Sequence, residues 1–157
     1  MLDNYMQILR ESLSQKLEIL KAIEAKSKEQ AELISSDADF DVLDRNMTDK
    51  DRLITALIKL DNGFETLYEN VRKELNEKKD EYTEEIREIQ ELIAAITDKS
   101  ASIQAIEVRN KMGIENKILR EKKEISNRKN ASTVAFDYYK TSNGLQAVSA
   151  QFMDTKK

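Results

Sequence analysis

Two of the most versatile catalytic side chains are missing from this chain, which has no histidine and no cysteine. Thiol nucleophiles, thiolate and imidazole metal ligands, disulfides and imidazole acid–base chemistry are excluded together. What remains is 30 Asp and Glu side chains against 26 Lys and Arg. Carboxylate pairs such as Glu84 and Glu88 have helical spacing, but two-carboxylate catalysis needs a concave site that shifts their pKa values. Here they fall on the polar side of a helix, where they are simply hydrated. A di-metal helix site of the Glu-x-x-His kind cannot be built. The expectation is no enzyme, no metal and no cofactor.

A second candidate is the basic run Lys117, Arg120, Lys122, Lys123, Arg128 and Lys129. Cations in such a run can neutralise phosphates. Glu121 and Glu124 interrupt it, and no aromatic side chain interleaves it for base stacking. A solvated helix end whose cations complement the helix dipole is the expectation, with no nucleic-acid partner. A third candidate is apolar: Val134, Phe136, Tyr138 and Tyr139, followed by Leu145, Val148, Phe152 and Met153. Two readings stay open for it. It folds back as a short helix capping the rest, or it is flexible alone and orders on a partner helix with its aromatics as anchors.

The elements that carry these groups are helical. Proline is absent, glycine occurs three times, and 39% of the chain is hydrophobic against 36% charged. Periodic rather than sparse apolar residues argue for packing and against disorder, and no strand-like alternation is found. Leu2, Met6, Leu9, Leu13, Leu17, Leu20 and Ile23 stripe a first helix over about 3–34, thinning after Ile23 so that its last turns are expected to fray or kink. The stretch SSDADFD, residues 35–41, is the clearest break, because Ser and Asp favour caps and turns over helix interiors. A second helix over about 41–75 carries Leu53, Leu57, Leu60, Phe64, Leu67, Val71 and Leu75, and its seam runs through Asn62-Gly63 without losing phase. The polar corner NEKKDE, residues 76–81, is read as a tight turn, the alternative being one continuous helix that dimerises.

A third helix over about 79–128 has the most regular seam: Tyr82, Ile86, Ile89, Ile93, Ile96, Ser100, Ile103, Glu107, Asn110 and Ile114. It is apolar to Ile96 and mixed from Ser100, which suggests a packed front and a back half whose partner lies outside the chain. Asn110 is then either an exposed amide or a buried one fixing register. The expected architecture is all-α: an elongated antiparallel three-helix, coiled-coil-like bundle over 1–129. A tail over 130–157 is either flexible or a short helix. Residues 1–108 carry a net charge of −10 and residues 109–157 a net of +6, so two surfaces have different partners or attract each other. No membrane span or secretory signal is expected, since charges interrupt MLDNYMQILRES.

Several stretches resemble the FlgN-type family of bacterial flagellar export chaperones. They are LEILKAIEAKSKEQAELI in the first helix, DRLITALIKLD in the second and, most specifically, IQAIEVRNKMGIENKIL in the third, with Tyr139 and Gly144 placed like a late Tyr and Gly of that family. The resemblance implies a cytoplasmic, ATP-independent chaperone that keeps hook–filament junction proteins export-competent and passes them to the flagellar secretion apparatus. It also implies that the C-terminal region binds the partner's helical end. On this chain that points to Ile114, Ile118, Ile125, Val134, Phe136, Tyr138, Tyr139, Leu145 and Val148. The rival expectation is a coiled-coil scaffold without chaperone activity, and a homodimer is open under either.

Overall fold

A computed structural model describes residues 1–124, and among these every regular element is helical. Helix α1 spans Leu2–Ser35 and α2 Phe40–Asp61, with α3 at Phe64–Leu75. A single 3-10 turn at Lys79–Tyr82 then leads into α4, Thr83–Glu124, 42 residues and about 63 Å long. The chain forms an all-α bundle in which α1 is central and packs against α2, α3 and α4.

Cross-links fix the directions of the helices. Side-chain bonds join Tyr82 to Asp3, Arg10 to Glu88, Ser27 to Glu107 and Lys117 to Asp37. Their sequence separations stay between 78 and 80, so α4 runs parallel to α1. Lys16 meets Asp61 and Lys26 meets Asp49, so α2 runs antiparallel to both.

The α1–α2 connection explains how a helix without a terminal glycine stops cleanly. Asp37 sits in the left-handed region at φ 55. The amide of Ala38 donates to the Leu33 carbonyl and that of Asp37 to the Ile34 carbonyl. This is the paired bonding of a Schellman end, with Asp at the position glycine usually takes. Asp39, extended at ψ 153, then starts α2. At the far end Lys78 N–H donates to Leu75 O and Glu81 N–H to Lys78 O, turning the chain through the polar corner.

Three expectations are corrected. The single helix over 41–75 is broken at Asn62-Gly63 into α2 and α3. Gly63 relaxes to ψ −4, and on either side of the break Asp61 and Phe64 both face Lys16, which lies 2.7 Å from the Asp61 carboxylate and 4.9 Å from the Phe64 ring centroid. The second-helix seam is also rotated: Ile54, Leu57, Phe64 and Val71 are buried, while Leu53 and Leu67 are only partly so. Helix α1 continues without interruption to Ser35, its stripe carried on in phase by the buried polar residues Glu24, Ser27 and Gln30.

A further correction concerns the back half of α4, which is not free. Ser100, Ile103, Glu107, Asn110, Ile114 and Lys117 are all buried. The partner that the sequence did not reveal is the chain's own α1 and α2, presenting polar side chains to polar side chains.

Candidate partner-binding surfaces

The bundle core has two apolar clusters with a polar layer between them. The front cluster gathers Leu2, Met6, Leu9 and Leu13 of α1 with Ile54 and Leu57 of α2, Val71 of α3 and Ile89 and Ile96 of α4. The back cluster is small: Phe40, Leu43 and Met47 of α2 around Ile114 of α4, flanked by Leu33, Ile34 and Ile118.

Between them Lys50 is fully buried. Its ammonium donates to Gln30 Oε1 and Glu107 Oε1, each at 2.6 Å, and Ser27 Oγ donates to the same Glu107 oxygen at 2.6 Å. Asn110 Nδ2 donates to the Ser27 carbonyl at 2.9 Å and to Gln30 Oε1 at 3.1 Å. Burial pushes the Lys50 pKa down, and the neighbouring Glu107 carboxylate opposes that. Asn110 is therefore the buried amide of the two alternatives. It locks α4 to α1, since a slip of one turn would strand Lys50 and Glu107 without each other.

A second buried pair lies nearer the front. Burial lowers the Lys16 pKa and raises that of Asp61, each partner opposing the effect on the other. At the rim, bonds from Lys99 first and Ser102 second hold the Glu24 carboxyl below its usual range. Lys117 does the same to the exposed Asp37, while its own ammonium lies 5.0 Å from the Phe40 ring centroid. Each of these groups is explained by helix-to-helix packing. Among the described residues no group of three acidic side chains is placed to hold a metal, and no helix is long and apolar enough to cross a membrane.

Among the described residues an apolar concavity lies between α3 and α4. Helices α3 and α4 each pack on α1 but scarcely approach one another. Between them a trough of about 430 Å³ opens, walled by Tyr68, Val71 and Leu75 on α3 and by Ile86, Ile89 and Ile93 on α4, with Leu9 at its floor. Arg72 and Gln90 mark the polar rim. A second cleft, between the end of α1 and α4, is lined by Lys28, Glu32, Arg109 and Asn110 beside Ile34 and Ile106. It is the more polar of the two.

The sequence-derived site residues divide sharply. Ile114 is 1% exposed inside the back cluster and Ile118 packs on that cluster. Ile114 is therefore core rather than a docking side chain in this arrangement, while Ile118 remains partly accessible. Ile125, Val134, Phe136, Tyr138, Tyr139, Leu145 and Val148 lie outside the described residues. Sequence reasoning missed the trough, because periodicity shows that Ile86 and Ile93 face inward without showing that α3 stands away from them. The polar layer did leave a signal: Ser27 and Gln30 continue the α1 stripe, and Lys50 sits in phase with Leu43, Met47, Ile54 and Leu57. Compared with protein-family models, with curated proteins and with solved structures, the chain matches none.

Proposed function

We propose that this chain is an ATP-independent export chaperone of the kind its FlgN-type resemblance implies, without catalytic activity or cofactor. In the bacterial cytoplasm it holds the helical ends of hook–filament junction proteins and delivers them to the flagellar export apparatus. The observation that carries the proposal is the trough between α3 and α4. Its walls leave parts of Tyr68 and Leu75 on α3 and of Ile86 and Ile93 on α4 accessible, above the buried Val71 and Ile89. An amphipathic helix laid there completes a local bundle with α1, α3 and α4 and covers its own self-association face. Residues 130–157, where the resemblance places partner contacts, supply the second limb through Phe136, Tyr138 and Tyr139.

Titration calorimetry with a peptide spanning the C-terminal helix of a hook–filament junction protein tests this. Ile86→Ala with Ile93→Ala should weaken binding at least tenfold, a loss of about 1.4 kcal/mol or more, in a variant whose helical circular-dichroism signal and cooperative melt are retained. Phe136→Ala with Tyr139→Ala should weaken it independently. No binding by the intact protein, or binding indifferent to both sets, defeats the reading. The scaffold alternative draws its support from a different observation, the apolar line on the outer face of α4, and predicts self-assembly with no client.

A further inference from the structure

Helix α4 is apolar on two sides. Opposite its buried seam runs a second line, Ala101, Ala105, Val108 and Met112, with Leu119 one heptad further on. All five are exposed, and the three large ones are 46%, 59% and 60% accessible. Half of the exposed large apolar side chains among the described residues fall on this one line, which single scattered surface residues would not do. The line also has polarity. Toward the front it continues through exposed Asp98 and Glu91, and toward the back through exposed Lys122.

We propose that this line is a self-association seam, on which two copies of the chain pack α4 against α4 in antiparallel orientation. A parallel pair would set Asp98 on Asp98 and Lys122 on Lys122. The antiparallel pair, with its two-fold axis near residue 110, brings Asp98 of each protomer to Lys122 of the other. The same register places Val108 over Met112 at the centre and Ala101 over Leu119, small against large, as close helix packing needs. Glu115 then falls beside Ala105 of the other copy, one helical turn from that copy's Arg109. Arg109 and Lys111 of both copies flank the axis, so their repulsion offsets part of the gain and the dimer is a reversible one. From Asp98 to Lys122 the seam is about 36 Å long. It shares none of Ala101 to Leu119 with the trough, and the proposal does not rest on the chaperone reading.

The full-length protein should show a monomer–dimer equilibrium by sedimentation velocity over roughly 1–100 µM, dissociation constants in that range being usual for modest reversible interfaces. Met112→Glu and Val108→Glu should each give a monomer throughout, with unchanged helicity because both side chains are exposed. Lys122→Asp should weaken the dimer, and adding Asp98→Lys should restore it. Because the chain has no cysteine, orientation can be read by mild oxidation. Ala101→Cys and Leu119→Cys proteins should cross-link when mixed and not when alone. A monomer at every concentration, a dimer indifferent to Met112→Glu, or cross-linking of each single-cysteine protein with itself would overturn the proposal. A monomer whose Met112 resists peroxide would also overturn it, and would assign the seam to the chain's own C-terminal segment.

Discussion

Lys50 is the residue on which the bundle's register turns. A buried ammonium is tolerated because Gln30 and Glu107 both receive it at 2.6 Å, yet burial still weakens its hold on the proton. The arrangement specifies alignment more than it adds stability, since two apolar side chains of similar size would pack there at no desolvation cost. Lys50→Met alone should destabilise the fold by about 3–5 kcal/mol in urea unfolding at neutral pH, because Glu107 is left charged and buried. Lys50→Met with Glu107→Met should recover most of that loss. If the double variant is as unstable as the single one, the layer contributes stability rather than register. The pairing of Lys with Glu across Ser27 and Gln30 was visible only as in-phase polar residues. Sequence cannot say which of many Lys and Glu side chains meet.

At the scale of elements, the two glycines of the described chain do opposite things. Gly113 sits where α4 presses on α1, and a Cβ there would lie 2.8 Å from Ile34 Cγ2. Gly63 lies in the α2–α3 break with nothing within 4 Å of its would-be Cβ and with a φ of −102, open to any residue. Gly63→Ala should therefore raise stability by about 0.4–1 kcal/mol, through the unfolded chain's lost freedom. Gly113→Ala should lower it, because overpacking costs about 1–3 kcal/mol and helix propensity returns only about 1. Thermal melts of the two variants should move in opposite directions. The sequence treated Asn62-Gly63 as a tolerated interruption, since the apolar phase survives it. The break shows only in the tertiary structure, where α2 ends at Asp61 beside Lys16 and α3 begins at Phe64.

For the whole molecule, the acid limb of the stability curve should be set by carboxylates of opposite sign. Glu24 and Asp37 have folded pKa values depressed by their lysines. Their contribution is complete above the ordinary carboxylate values of 4.5 and 3.8 and is lost as pH falls through the depressed ones. Asp61 is raised by burial, so its proton binds the folded state earlier and partly compensates on acidification. Comparing wild type with Glu24→Gln cancels the Asp61 effect. The variant should be less stable at pH 7, and the gap should close as pH falls below 4.5, the ordinary carboxyl value. A gap independent of pH would mean that the carboxylate's charge does not link α1 to α4.

What the sequence determined by itself was the all-α class, a break within residues 35–41 and the apolar faces of α1 and of the front of α4. These follow from local rules, the 3.6-residue repeat and the preference of Ser and Asp for helix ends, and local rules act within one element at a time. Tertiary structure decided the rest: that the polar back of α4 is buried against α1 and α2, that Ile114 is core, and that α3 stands far enough from α4 to leave a trough. Each depends on how helices far apart in sequence are spaced and rotated against one another. A polar residue in phase with a seam looks exposed until the residue that satisfies it, 57 positions away in the case of Lys50 and Glu107, is brought within hydrogen-bonding distance.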